Sequence, residues 1–280
     1  MTRFEQELRG RLDRSIELSE SQAVAKAVLD HPTFENIEFG RHVDDYAAVA
    51  FLDIRGFTRL SMALPTEETA RLLTAVLGAT VSVLRDFDAH INDFTGDGIM
   101  AVFSREALGS ADAVHTRTLH AASNLMTDMH ATLREDLLQA GIDDPVQVAL
   151  GIYSGDVRWQ HVGTRECSRL GVVGQVAPLA SKLVSGEFAR AWETMIGGAI
   201  ANSVPEDLKS EQPKFVRQYG DREMTRRRWV LDTEGFWREA LGGPGVSSVI
   251  ARATPAASLL GIAPATSRRG DGGRKDSGVA

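Results

Sequence analysis

Two aspartates, each at the end of an apolar run and each beside a glycine-containing turn, constrain this chain more than any other feature. Asp53 closes the run Ala48-Val49-Ala50-Phe51-Leu52 and is followed by Ile54-Arg55-Gly56-Phe57-Thr58. Asp97 lies in Thr95-Gly96-Asp97-Gly98 and precedes the run Ile99-Met100-Ala101-Val102-Phe103. Short apolar runs with branched residues, bounded by glycine, read as buried strands. Each run therefore sets a carboxylate at the margin of a core. Singly, either aspartate also suits a turn or a helix cap. As a pair they call for a counter-charge, and a divalent cation bridging two carboxylates and a triphosphate supplies one.

At 280 residues and 43% hydrophobic, the chain can bury one catalytic core with residues to spare. A net charge of −7 and a pI near 5.6 exclude a general nucleic-acid binder, which needs a basic surface. Cys167 is the only cysteine, so a disulfide framework and a cysteine-based zinc site are both excluded. That usage fits a reducing cytoplasm. The first residues, Met1-Thr2-Arg3-Phe4-Glu5-Gln6-Glu7, have no signal-peptide core. No apolar stretch reaches the roughly 18–20 residues of a membrane helix. The expectation is a soluble cytoplasmic protein with no membrane span.

Phe4, Leu8, Leu12 and Ile16 recur every four residues among charged neighbours, one face of an amphipathic helix. The pattern continues through Ala23, Val24, Ala27 and Val28 and stops before Pro32. Residues 1–44 are thus expected as an N-terminal helical arm, either a dimerisation or regulatory device or a helix packed on its own core. Residues 45–241 are expected as the catalytic domain, with a strand at 46–53 and a helix at 66–88. A hairpin turning at 95–98 and a helix at 109–138 follow. After these come a strand at 146–153, a turn at Ser154-Gly155-Asp156 and a loop and strand over 165–176. A helix from about Pro178 and a last strand at 226–231 complete the domain. Residues 242–280, rich in Gly, Ser, Ala, Pro and Arg, are expected as a disordered tail. The fold class is α+β, with the βαββαβ order of a ferredoxin-like domain.

Three segments in this order resemble the class III nucleotidyl cyclase catalytic domain. Phe51-Leu52-Asp53-Ile54-Arg55-Gly56-Phe57-Thr58 is similar to the family's F-x-D-I-x-G-F-T. Thr95-Gly96-Asp97-Gly98-Ile99-Met100-Ala101-Val102-Phe103 is similar to I-G-D-x-x-M-A-V-F. Leu150-Gly151-Ile152-Tyr153-Ser154-Gly155-Asp156-Val157 is a shortened G-I-x-x-H-x-G. The resemblance spans about Asp45 to Leu231. It implies conversion of a nucleoside triphosphate to a 3′,5′-cyclic nucleotide and pyrophosphate by two-metal catalysis. It carries the metals, Mn²⁺ with Mg²⁺ as the alternative, onto Asp53, Asp97 and the Ile54 carbonyl. The turn Arg55-Gly56-Phe57-Thr58 is expected to offer N–H groups, and Arg55 charge, to the phosphates. It also implies a head-to-tail homodimer with shared active sites.

The departures bear on the base. The family's adenine-reading lysine is replaced by Asp93, and the partner reading position is Gly171. A carboxylate accepts hydrogen bonds but cannot donate them. The ribose-positioning Asn is replaced by Pro178, and the transition-state Arg by Lys182, which keeps charge but loses the fork. Guanylate cyclases carry an acid at the position of Asp93, but a compact cyclase domain with an N-terminal helical arm, no expected sensor domain and this altered helix resembles the bacterial pyrimidine cyclases of antiphage signalling systems. It implies UTP, then CTP, as substrate, cyclic UMP or cyclic CMP as product, and a separate cyclic-nucleotide-activated effector. A guanylate or adenylate cyclase in ordinary signalling, and a catalytically inactive binding or dimerisation module, stay open as alternatives.

Overall fold

The computed structural model describes residues 34, 36–129, 146–219 and 221–242. Most of the expected arm, and the expected tail beyond Gly242, lie outside the described residues. In chain order, the first elements are β1 (His42–Arg55), α1 (Phe57–Ala63), α2 (Thr66–Asp86), β2 (His90–Phe94) and β3 (Gly98–Ser104). Next come α3 (Arg105–Leu108), α4 (Ala111–Asn124), β4 (Gln147–Gly163), β5 (Ser168–Val173) and α5 (Val176–Val184). The last are β6 (Thr194–Gly198), β7 (Lys209–Tyr219), β8 (Arg222–Leu231) and α6 (Thr233–Gly242).

β1 is the centre of the domain. Ala48, Ala50, Leu52 and Ile54 join one buried cluster, while Ala47 and Val49 join another. Side chains alternate across a strand, so an unbroken apolar run marks a strand covered on both faces. β1 pairs antiparallel with β3 on one side and with β4 on the other. The sheet runs β2-β3-β1-β4-β6-β8-β7, with β5 on the far half of β4. Its first four strands, with α2 and α4 between them in sequence, make the expected α+β ferredoxin-like βαββαβ core. Among the described residues, no helix is long and apolar enough to cross a membrane.

The two faces are covered differently. Val76, Val83 and Phe87 at and after α2, with Val114 and Leu119 of α4, seal the first. On the second, α5 lies directly on β4. A Cβ at Gly151 would stand 2.5 Å from the Ala180 carbonyl oxygen and collide with the Val184 nitrogen. The third family-like segment is therefore first of all a packing device. A buried acid, Asp45, is satisfied where β1 begins: Ser104 Oγ donates to it at 2.6 Å, the Tyr46 amide at 2.7 Å and Trp159 Nε1 at 3.3 Å.

Several expected boundaries move. Ser154-Gly155-Asp156 is strand interior, not a turn, because the β1 ladder continues there, pairing Tyr46 with Asp156 and Ala47 with Gly155. The helix expected over 109–138 ends as α4 at Asn124 and passes into a π-helical turn, Leu125–Met129, with 130–138 outside the described residues. One final strand was expected at 226–231, whereas the sheet ends in β6, β7 and β8. β6 is short and closes on two glycines, and β7 is a polar edge strand shifted in register around Pro213, so neither carries a clear period. β1 opens at His42, ahead of the expected domain start at 45.

Gly151→Ala should lower stability by about 1–3 kcal/mol through overpacking against backbone. Gly78→Ala, on the exposed side of α2 with nothing within 4 Å of its added Cβ, should leave stability unchanged or raise it by up to about 1 kcal/mol. Urea midpoints of the two variants check both signs.

Candidate active site

Asp53 is the third residue from the end of β1, paired with Gly98 on β3 and with Ala149 on β4. Gly98 has to be glycine: an added Cβ would lie 2.5 Å from the Leu52 carbonyl oxygen and 2.8 Å from Thr95 Oγ1. Asp97 immediately precedes Gly98 in a tight hairpin closed by the Thr95 amide donating to the Gly98 carbonyl at 2.9 Å. Gly96 takes the positive φ of 83° that the first central position of such a turn demands. The register thus brings the two aspartates of the sequence together. Burial pushes the Asp53 carboxyl above the ordinary carboxylate range, the Arg55 guanidinium pulls it down, and Asp97 pushes it up again.

Arg55 pairs with Asp53 itself. A metal ion was expected to balance the two acids, and Arg55 to offer charge to the phosphates. Instead Arg55 Nη1 donates to Asp53 Oδ2 at 2.8 Å, and its Nη2 donates to the Val184 carbonyl at the end of α5. Its Nε is buried with no hydrogen-bond partner, an arrangement that costs about 1–3 kcal/mol. Burial pulls its pKa down, and Asp53, Asp97 and Glu193 push it back. Residues 53 and 55 share a strand face because side chains alternate, and that parity was the available signal.

The Ile54 side chain is buried in the first core cluster, so only its main chain is available to a ligand. Gly56, at φ 69°, caps α1 without a side-chain hydrogen bond to the helix start. The leading amides of α1, from Phe57 and Thr58, are therefore free of a side-chain cap.

Asp93 and Gly171 come to the same strand neighbourhood. Asp93 follows a register shift in β2 and pairs with Arg169 Nη1 of β5 at 2.6 Å. Gly171 is two residues further along β5, opposite Gln160, with room that the Val162 side chain limits. Arg169 was missed; its position two residues before Gly171, on the same strand face, was the signal. Pro178 sits in the first turn of α5, where its missing N–H matters little.

Lys182 projects from α5 into a basic cluster. It pairs with Glu187 and lies 5.2 Å from the Phe188 ring centroid. Arg217 reaches the same Glu187 at 3.2 Å, and Arg228 stacks over Phe188 at 4.1 Å. Both arginines sit on β7 and β8, strands whose extent was not legible, so the cluster escaped sequence reading.

The donor set fits hard divalent ions. Asp53 and Asp97 give two carboxylates that repel one another, and among the described residues no cluster of three or more His, Cys, Asp or Glu suits a metal ion. One or two carboxylates completed by main chain, water and substrate phosphate is the usual way of holding Mg²⁺-like ions. In the metal-free chain, Asp97→Asn should move the Asp53 carboxyl titration downward, read by carboxyl carbon NMR. An unmoved midpoint would mean that the two carboxylates do not share one field.

Comparison with known proteins accords with this geometry. A cytidylate cyclase of Staphylococcus aureus is 26% identical over 225 residues, 79% of this chain and 52% of the relative. A cytidylate cyclase of Escherichia coli is 27% identical over 189 residues, 66% of this chain and 41% of the relative. The chain thus spans about half the length, or less, of the curated relatives it matches. The adenylyl cyclase CyaB from P. aeruginosa shares the fold, with a TM-score of 0.59 at 23% identity, over 68% of this chain and 95% of that one. The family model described as the adenylate and guanylate cyclase catalytic domain matches residues 41–201. That match covers more than half of the chain, which belongs to this family and carries a nucleotidyl cyclase catalytic domain.

Proposed function

We propose that the chain is a pyrimidine nucleotide cyclase, converting CTP or UTP to a 3′,5′-cyclic nucleotide and pyrophosphate. The observation that carries the pyrimidine reading is the pair of relatives, over 79% and 66% of the chain, that are cytidylate cyclases. They favour CTP over the UTP expected from sequence. The acid at position 93 counts against adenine, since an adenine-reading lysine is absent, and it can accept from a pyrimidine N–H as well as from guanine.

Class III cyclases use divalent metal ions, and Asp53, Asp97 and the Ile54 carbonyl are the groups we assign to hold two of them. When bound, such ions activate the attacking ribose 3′ oxygen and neutralise the leaving pyrophosphate. Mn²⁺ is the preferred ion, since its less rigid geometric demands suit a site with few protein ligands. The amides of Phe57 and Thr58, free of a side-chain cap, are the donors we assign to the phosphates. Asp93 accepts from a base N–H, and Arg169, held to it by their ion pair, adds donors on the same edge. Gly171 leaves room beside them. Lys182 supplies positive charge as the α-phosphate becomes five-coordinate, once phosphate competes with Glu187 for its ammonium.

The metal carboxylates and Lys182 act, in this reading, from different chains of a closed two-fold homodimer. The product serves as a second messenger in antiphage defence, read by a separate effector. The purified chain with Mn²⁺ should give one dominant product, a cyclic pyrimidine nucleotide, from a panel of UTP, CTP, GTP and ATP. Asp93→Ala should reduce turnover and flatten the panel, since an unpaired polar group in a closed pocket costs about 1–3 kcal/mol. A dominant purine product would overturn the pyrimidine reading. Four blanks, where a known cyclase works, would favour a binding module.

A further inference from the structure

Arg55 makes two contacts that no phosphate-binding role requires. It donates to Asp53 Oδ2 at 2.8 Å and to the carbonyl of Val184, the last residue of α5. The carbonyls of a helix's last turn have no partner within the helix, and a cation there also meets the negative end of the helix dipole. The side chain is only 14% exposed, and its third donor group, Nε, is buried without a partner. A largely buried guanidinium that leaves one donor unsatisfied is held by the contacts it does make. Here those contacts join the end of β1 to the end of the helix that carries Lys182.

We infer that Arg55 is a positioning residue, a tether between the Asp53 carboxylate and the C-terminal turn of α5 that a cation at Asp53 releases. The inference rests on the metal assignment and shared-site dimer proposed above. A divalent ion at Asp53 and a guanidinium on the same carboxylate repel one another, so the ion takes over the charge that Arg55 balances. Arg55 then loses its hold on Val184, and the last turn of α5 is freed. Beyond it, the Phe188 and Ala189 amides both donate to the Ser185 carbonyl, at 2.9 and 3.0 Å. Those amides report on the turn. In the shared-site dimer, Asp53 of a chain serves one site and Lys182 of the same chain serves the other, so the tether runs between sites.

The test uses the full chain and Mn²⁺ alone, with binding followed by calorimetry and the 185–189 segment by hydrogen exchange. In the unsubstituted protein, saturating Mn²⁺ should speed exchange of this segment several-fold. Arg55→Met should exchange quickly without metal, show no further response, and bind Mn²⁺ several-fold more tightly. Arg55→Lys, which keeps the charge but cannot bridge both partners, should lose the exchange response as well. Two ions per site already make turnover against Mn²⁺ steeper than first order, so the expected result is a Hill coefficient higher in the unsubstituted protein than in Arg55→Met. Mn²⁺ binding with unchanged exchange at 185–189, or weaker binding by Arg55→Met, would overturn the tether. Equal Hill coefficients in the unsubstituted protein and Arg55→Met would overturn the link between sites. Mn²⁺ binding that survives Asp53→Asn would instead overturn the metal assignment itself, and the tether with it.

Discussion

The pairing of Asp53 with Gly98 across β1 and β3 is the constraint on which the site depends. It sets Asp97, one residue away in the hairpin, beside Asp53 without any contact between distant loops. A slip of one residue would turn every side chain of β1 to the opposite face. Such a slip would send Ala47 and Val49 into the helix-covered core and expel Leu52 and Ile54 from it. Hydrophobic burial on both faces of one strand thus fixes where a pair of carboxylates stands. Gly98 makes the approach possible, since any Cβ there meets the Leu52 carbonyl.

The second face of the sheet carries the other groups assigned to an active site. Gly151 lets α5 settle on β4, and Lys182 and the Val184 carbonyl come with it. Charge is then balanced locally. Arg55 answers Asp53, Arg169 answers Asp93, and Glu187 answers Lys182 and Arg217. Each charged side chain assigned to meet substrate or metal is ion-paired, except Asp97, which repels Asp53 and attracts Arg55 through its field. Exposed pairs of this kind contribute little to stability, so they can exchange partners at small cost when a polyanion and cations arrive. The Asp53–Arg55 pair is the more buried one and is harder to open.

The strands that carry the aspartates were legible because their apolar runs are long and buried on both sides. The ferredoxin-like order followed from them, and so did the approach of Asp53 to Asp97. Strand β4 was cut short in the sequence because Ser154-Gly155-Asp156 has turn composition, yet ladder pairing with β1 carries the strand through it. The edge strand β7 was hidden by its polar residues and Pro213, and β6 by its length and two glycines. Without those strands the basic residues around Lys182 had no position. Partners joined by tertiary contact, such as Arg169 with Asp93, leave no periodic trace, whereas the parity of Arg55 and Asp53 was readable and was passed over.

The central claim is a cyclase site completed by two chains, with Asp53 from one and Lys182 from its partner. It is tested most directly by mixing two variants, Asp53→Ala and Lys182→Ala, each inactive alone and each retaining the melting temperature of the unsubstituted protein. Random pairing leaves one intact composite site in each mixed dimer, so cyclisation should return on mixing, to about a quarter of the unsubstituted rate when half of the dimers are mixed. A mixture as inactive as its components, with mixed dimers present, would contradict the account, as would full activity from a preparation that stays monomeric.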